Sequence, residues 1–340
     1  MMKEEILDKL KENSGQFISG ETLSDILGVS RTAIWKHMKE LKVEGYIIES
    51  VSKKGYRLIS VPDILNEHEI KQGLETSIIG HRIDCFKSVD STNRYAKELA
   101  ANGCVDGTVV AADSQTAGRG RLGRDWSSSD RKGIWMSVVL RPAIPPEEVQ
   151  LITLAASVAV VTAIMNSTGV RTGIKWPNDI ILDGKKVCGI LTEMSCEMEQ
   201  VNFLVVGLGI NVSHELEDFP EDLRETVTSI KLWLEDNRNS SEIEWSNCLN
   251  RSRLIKEILI ELEKAYYQLK NGLNTEIINQ WKKYSVTLGK QVKIMAKGSE
   301  YIGTAIDITK DGKLVLILPD GARHEVLSGE VSVRGLLGYS

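Results

Sequence analysis

Long unbroken hydrophobic runs are missing from this 340-residue sequence. The longest apolar stretch, residues 151–165, is interrupted by Thr153, Ser157 and Thr162. It falls short of the roughly 20 apolar residues a bilayer span requires and reads as a buried helix, with no membrane association expected. Cysteine is scarce. The five thiols (Cys85, Cys104, Cys188, Cys196, Cys248) are odd in number, widely separated and never form Cys-x-x-Cys. They read as reduced thiols of a cytoplasmic protein, without a disulfide framework or a zinc site. The five histidines are scattered, so no protein-built metal centre is expected. The start, Met1-Met2-Lys3-Glu4-Glu5, is charged and helix-like, unlike a secretory leader. Neither sign of charge dominates. With a formal net charge of -5, any nucleic-acid contact has to come from a local patch. What is present is 42% hydrophobic residues, enough for ordinary cores in two or three domains.

Residues 1-60 carry such a patch. Ile6, Leu7 and Leu10 form the apolar face of a first helix. Residues 22–27 give a second, with Leu23, Ile26 and Leu27 on one side. Gly28-Val29-Ser30 is a tight turn, Ser30 is an N-cap, and residues 31–43 read as a third helix with Ile34, Met38 and Leu41 inward. Residues 46–51 and 56–59 then pair about Ser52-Lys53-Lys54-Gly55. Three helices and a hairpin define a winged helix-turn-helix. From Arg31 to Arg57 seven basic residues stand against three acidic ones, in a chain that is acidic overall. Ser30, Arg31, Thr32 and Trp35 open the third helix, where base edges are read. Thr22, Lys36, Lys39, Lys53 and Lys54 complete the DNA-binding set. Such modules pair on two half-sites, so the rest of the chain is expected to supply dimerisation. Val61-Pro62-Asp63 breaks the pattern and marks a linker over 61-66.

Residues 67-285 read as a mixed α/β domain. Its densest chemistry is Thr116-Ala117-Gly118-Arg119-Gly120-Arg121-Leu122-Gly123-Arg124-Asp125-Trp126, which follows a buried strand over 108–115. The literal Gly118-x-Gly120-x-x-Gly123 is not a dinucleotide fingerprint, because no helix follows to face a pyrophosphate. What stays is a pliable backbone carrying guanidinium forks suited to phosphate and carboxylate. Ser91, Thr92 and Asn93 lie at a strand–helix junction. They can cap that helix, and they can hydrogen-bond a small neutral polar group such as a urea. Gln115 stands at the mouth of the loop. Lys175 and Asp179 flank Trp176-Pro177, and Asp183-Gly184 turns the chain into a strand opened by Lys185-Lys186. Gly207 and Gly209 in a strand mark close approach of a ligand or another backbone. Residues 218–247 are polar and leave their structure open. Residues 252–271 and 275–284 read as amphipathic helices. In 286-340, strands at 291–295, 301–308, 314–318, 322–327 and 331–334 alternate with turns at Lys297-Gly298, Asp311-Gly312 and Asp320-Gly321, which indicates a small antiparallel barrel.

Taken in order, Gly118-Arg119-Gly120-Arg121-x-Gly123-Arg124-x-Trp126, Lys175-Trp176-Pro177-Asn178-Asp179, Lys186-x-x-Gly189-Ile190-Leu191-x-Glu193 and Gly207-x-Gly209-x-Asn211 resemble the biotin–protein ligase family. With the winged helix, the chain is similar to the bifunctional bacterial form that also represses the biotin operon. The resemblance implies an α+β chain with an N-terminal winged helix-turn-helix, a central α/β ligase domain and a C-terminal SH3-like barrel that docks ATP or the carrier. It implies that biotin and Mg2+-ATP give biotinyl-5′-AMP, and that a lysine of a biotin carboxyl carrier protein domain then takes the biotinyl group. Ser91, Thr92, Asn93 and Gln115 would hold the biotin head group. Arg119, Gly120 and Arg121 would fold over its valeryl chain and carboxylate, and Lys186 would bond the carboxylate and the adenylate bridge. Arg121, Arg124, Trp126, Lys175, Gly209 and Asn211 would lie on the nucleotide side. Asp179 would orient a lysine or assist the incoming amine, joining Arg119, Arg121 and Lys186 as the catalytic set. The loop would be disordered until the adenylate orders it. Ordering would shield the mixed anhydride and prepare a homodimer that binds operator DNA. A biotin sensor without catalysis would not need Arg119, Arg121 and Lys186 together. A lipoate-type ligase would not need the winged helix.

Overall fold

The structure, a computed structural model, describes residues 2–197, 200–237, 249–296, 299–327 and 332–335. The chain divides into two compact units, Met1–Ile64 and Leu65–Ser340.

The first unit holds α1 (Met2–Glu12), α2 (Gly20–Leu27), α3 (Arg31–Val43) and the hairpin β1 (Ile47–Val51) and β2 (Gly55–Ser60). Serine caps set the helix starts: Ser19 Oγ accepts from Thr22 N at 2.9 Å and Ser30 Oγ from Ala33 N at 3.2 Å. Gly28, at φ 65°, ends α2 in the left-handed region and makes the turn into α3. Ile6, Leu10, Leu23, Ile34, Met38 and Leu41 pack with Tyr46, Ile48 and Leu58 of the hairpin. Ile26, expected on the inward side of α2, is instead 54% exposed. The helix has only two turns, and Leu23 is buried in the core with Leu27 packed against it. Tyr56 and Ile18 exchange two backbone hydrogen bonds at 2.9 Å, which ties the hairpin to the chain ahead of α2.

The second unit begins with α4 (Glu67–Lys71), then β3 (Ile83–Val89), α5 (Thr92–Ala101), β4 (Val109–Gln115) and β5 (Gly133–Leu140). It continues through α6 (Val149–Thr168), β6 (Gly173–Lys175), β7 (Asp179–Leu182), β8 (Lys185–Glu197) and β9 (Gln200–Asn211). Then come α7 (Ile230–Asn237), α8 (Arg251–Lys270) and α9 (Asn274–Tyr284). Seven strands form one mixed sheet in the order β3-β4-β5-β9-β8-β7-β6, in which only β3 and β4 run parallel.

Alternation along the strands gives this sheet two different faces. Ile134, Met136, Val138 and Leu140 of β5 join the main core with α6 and α8. α6 is apolar all round because sheet and helices enclose it. Val139 and Val205 face the other way, onto Ala96 and Ala100 of α5. α5 packs on β4, β5 and β9, at one end of that face. Trp135, Ser137, Gly207, Gly209, Gly189 and Leu191 share this second face by strand register.

The C-terminal strands β10 (Gln291–Ala296), β11 (Ser299–Ile308), β12 (Leu314–Ile317), β13 (Arg323–Val326) and β14 (Ser332–Gly335) form an antiparallel sheet in the order β13-β12-β11-β10-β14. The expected turn at Lys297-Gly298 lies outside the described residues. Val292, Ile294, Ala305 and Leu316 belong to the same core cluster as the central sheet. Trp176, between β6 and β7, donates from its backbone N to Thr287 Oγ1 at 2.9 Å and from Nε1 to Gly312 O at 3.1 Å. The Lys175-Trp176-Pro177 turn is thereby fixed to the C-terminal sheet.

Candidate active site

The cavity on the second face has a volume of about 540 Å³. Its neutral end is built at the start of α5. Ser91 stands at the N-cap position, yet its side chain makes no cap hydrogen bond. Asp90 Oδ1 instead accepts from Ser91 N at 2.6 Å. The capping role expected for Ser91 is thus not realised, and the residue lines the cavity. Gln115 Oε1 accepts from Thr92 N at 2.8 Å, and Gln115 Nε2 donates to Ser128 Oγ at 2.8 Å. Asn93 is buried beside them at the cavity wall. It bonds Ser137, Leu191 O and Glu193. Gly207 makes the room: a Cβ there would come within 2.0 Å of Asn93 Oδ1.

The arginine-glycine loop is held by backbone hydrogen bonds. Gly120 N donates to Arg124 O at 2.7 Å and Trp126 N to Gly118 O at 3.0 Å, and Arg119 and Asp125 form an isolated antiparallel bridge. A short 3-10 turn spans Arg121–Gly123. Gly118 is required by close approach, since a Cβ would meet Trp126 O at 2.4 Å. Folding the loop carries Trp126 over Gly189 and Gly209, partners in the β8–β9 register. Added Cβ atoms there would lie 2.8 and 2.6 Å from its ring. Gly189 and Gly209 therefore admit the indole, as Gly207 admits the side chain of Asn93. Trp126 Nε1 is buried with no hydrogen-bond partner among the described residues.

The charged end lies beside this indole. Lys186 Nζ sits 2.6 Å from Asp179 Oδ1 and 5.0 Å from the centre of the Trp126 ring. Arg121 Nη1 donates to Asn178 Oδ1 at 2.9 Å. Burial lowers the Arg121 pKa, with Asp179 opposing and Arg124 adding to the shift. Guanidinium basicity is high enough that the group stays charged. Residues 226–228 close the wall: Lys186 N donates to Thr226 O at 2.8 Å and Thr228 N to Lys186 O at 2.9 Å.

Ser91, Thr92, Asn93 and Gln115 thus line one cavity together with Arg119, Gly120, Arg121 and Arg124. Trp126, Lys175, Asp179, Lys186 and Gly209 line it as well. Asn211 is not brought there. It is buried at the end of β9, and its Nδ2 donates to Thr228 O at 3.1 Å, holding the wall segment from behind. The sequence reading gave Asn178 no role beyond its motif and missed Ser128 and Ser137, and it left open the lining segment that holds Leu223, Glu225, Thr226 and Val227. No periodicity marks these residues, because each acts through a partner distant in sequence.

In the first unit, all nine residues expected to meet DNA are exposed. Thr32, Trp35, Lys36 and Lys39 share the outer side of α3, opposite Ile34, Met38 and Leu41. Lys39 Nζ lies 3.8 Å over the Trp35 ring, and Arg31 pairs with Glu21 at 2.5 Å. The Ser30 hydroxyl is engaged as the α3 cap. Thr22 opens α2, and Lys53 and Lys54 stand at the hairpin tip.

Fold and cavity define an α/β ligase-type core with a winged helix-turn-helix at one end and an antiparallel sheet at the other. Comparison with known proteins agrees part by part. Residues 3–57 match the HTH domain family, residues 85–211 the Biotin/lipoate A/B protein ligase family, and residues 287–334 the Biotin protein ligase C terminal domain. The chain is 39% identical to the Bifunctional ligase/repressor BirA of Bacillus spizizenii over 98% of both chains. It is 28% identical to the Escherichia coli protein of the same name over 94% of each. The structure of the biotin protein ligase from Aquifex aeolicus in complex with biotin and ATP aligns with a TM-score of 0.60 at 27% identity, covering 75% of this chain and 99% of that one. The chain belongs to the bifunctional biotin ligase/repressor family.

Proposed function

We propose that this chain activates biotin with ATP, transfers it to a carrier lysine, and uses the intermediate to govern DNA binding. The observation that carries the reading is one cavity with a neutral hydrogen-bonding end at Ser91, Thr92 and Gln115 and a cationic end at Arg119, Arg121 and Lys186. Biotin needs both, a urea at one end and a carboxylate at the other. The carboxylate oxygen attacks the α-phosphorus of ATP, supplied as its magnesium complex, and pyrophosphate leaves. Two anions have to approach each other, so fixed positive charge at the meeting point lowers the barrier. Lys186 and Arg121 supply it, with Arg119 and Arg124 of the same loop beside them. Asp179, ion-paired to Lys186, acts by aiming the ammonium. In the second step a lysine ε-amine of a biotin carboxyl carrier protein domain attacks the acyl carbon and AMP leaves. Trp126, Lys175 and Gly209 border the nucleotide, and Asn211 supports that wall. The folded loop covers the mixed anhydride against water.

The winged helix reads operator DNA with α3 and the hairpin tip, biotinyl-5′-AMP serving as corepressor that promotes a homodimer. The protein works in the cytoplasm, where its thiols stay reduced. The test is to mix the purified chain with ATP, biotin and a carrier domain and to follow covalent biotin by mass, then to measure binding to its own promoter with and without the adenylate. Biotinylated carrier and adenylate-dependent DNA binding are expected. Carrier left unmodified, or DNA binding indifferent to the adenylate, would refute the corresponding half.

A further inference from the structure

Behind the neutral end of the cavity runs a chain of hydrogen bonds with one permitted direction. It begins at Glu193 of β8, whose Oε1 accepts from Lys97 Nζ at 2.8 Å and whose Oε2 accepts from Asn93 Nδ2 at 2.9 Å. Asn93 Nδ2 also lies 3.3 Å from Leu191 O. A carboxylate and a carbonyl are both acceptors, so the Asn93 amide has to turn its NH2 toward them. Its Oδ1 therefore faces Ser137 Oγ, 2.6 Å away, as an acceptor. Ser137 Oγ is also 2.8 Å from Thr92 Oγ1. Ser137 has a single proton, and Asn93 Oδ1 requires it. Thr92 consequently donates its own proton to Ser137, although its hydroxyl also lies 3.1 Å from Gln115 Oε1. Ser137 is fully buried and Thr92 and Asn93 nearly so, so the pattern is set by these side chains themselves.

The direction decides what the cavity offers. Run this way, Thr92 Oγ1 keeps its lone pairs, and Gln115 Oε1, engaged by Thr92 N alone, keeps one. Both atoms belong to residues lining the cavity. Run the other way, Ser137 would donate to Thr92 and Thr92 to Gln115, and an acceptor would be lost at each. We propose that Glu193 is a specificity-determining positioning residue: acting through Asn93 and Ser137, it holds Thr92 and Gln115 as acceptors, so that the cavity selects a ligand head group bearing N–H donors. This rests on the reading of the ligand as biotin, whose ureido group carries two N–H donors. Glu193 is not among the residues that line the cavity, and it acts there through Asn93.

The test measures the affinity of the full-length protein for biotin, and for its cyclic carbonate analogue in which both ureido N–H groups are oxygen, by titration calorimetry. In Glu193→Gln, Lys97 captures the carbonyl of the new amide and leaves its NH2 facing Asn93, which disrupts the chain. Biotin should bind about tenfold more weakly, the scale of one hydrogen bond. The carbonate should be little affected, so the preference for biotin shrinks. Lys97→Met alone leaves the carboxylate in place and should bind biotin within about twofold of the parent, on the same scale. Adding Lys97→Met to Glu193→Gln frees the amide to present its carbonyl to Asn93 and should recover most of the loss. A Glu193→Gln protein that binds biotin like the parent overturns the proposal. So does equal loss for biotin and carbonate, or a double variant no better than Glu193→Gln. Failure of the unaltered protein to bind biotin at all would instead remove the functional reading on which the proposal stands.

Discussion

Trp126 spans Gly189 and Gly209, and those two positions can hold no larger residue while it stays there. The indole forms one side of the site of the Lys186–Asp179 pair. Gly209→Ala should push the ring out of place without opening the core, because Trp126 is half-buried rather than enclosed. The expected outcome is a KM for ATP raised about tenfold, equivalent to ~1.4 kcal/mol, with the biotin Kd unchanged. An unaltered KM for ATP would mean that the indole does not shape the nucleotide side. A second residue-scale prediction concerns His214, which is buried between Trp135 and Phe219. Burial lowers its pKa to about 4, with Asp218 opposing and Lys132 adding to the shift. The unfolded chain holds a histidine near pKa 6.5 and so takes up a proton first as pH falls. His214 therefore contributes fully above about pH 6.5, and its contribution disappears as pH falls through about 4. Between pH 7 and pH 5 this costs about 2 kcal/mol. Urea denaturation of the parent and of His214→Phe should differ in pH slope by that amount over this range. Parallel slopes would rule the account out.

At the scale of elements, α8 serves as more than a lid on the sheet. Its Glu263 accepts three backbone N–H groups, from Ser77, Ile78 and Ile79, at 2.6, 2.7 and 2.7 Å. The loop ahead of β3 is thereby fastened to a helix far along the chain. Glu263→Gln keeps the shape but turns a donor toward these donors. It should lower stability by about 2–3 kcal/mol, since buried N–H groups lose a charged acceptor, and leave the biotin Kd unchanged. A loss below ~0.5 kcal/mol, the level of an ordinary surface change, would show the clamp to be incidental. Elements of this kind differ in how far the sequence discloses them. α3 and α8 are legible from apolar periodicity, with a serine cap on α3, and α6 from an apolar run too short to span a membrane, all local signals. So are the C-terminal turns at Asp311-Gly312 and Asp320-Gly321, where Gly312 and Gly321 take φ of 87° and 85°. The glycine strand over 207–211 is half legible: spacing announces a close approach, but not that Trp126 makes it. The wall at 226–228 is illegible, because its strand-like pairing is with Lys186, some forty residues earlier.

For the whole molecule, the division at residue 64 separates a DNA-reading unit from one that holds the cavity and the C-terminal sheet together. The cavity residues come from the start of α5, the end of β4, the loop after it, the β6–β7 turn and the start of β8. Most of this set was legible as motifs, since glycine, arginine and lysine in tight loops carry their chemistry locally. Asn178 and Glu193 stood in those motifs without a role and Ser137 stood in none, because each acts on a partner that only folding brings near. The central claim is that this assembled cavity joins biotin to ATP, and the most direct measurement is biotin-dependent exchange of label between pyrophosphate and ATP on the purified full-length chain. The account predicts exchange with biotin, none with lipoate, and a loss of about a hundredfold or more in Lys186→Ala, the scale of removing one group that stabilises developing charge. Bound biotin without exchange, or exchange that proceeds as well with lipoate, would contradict it.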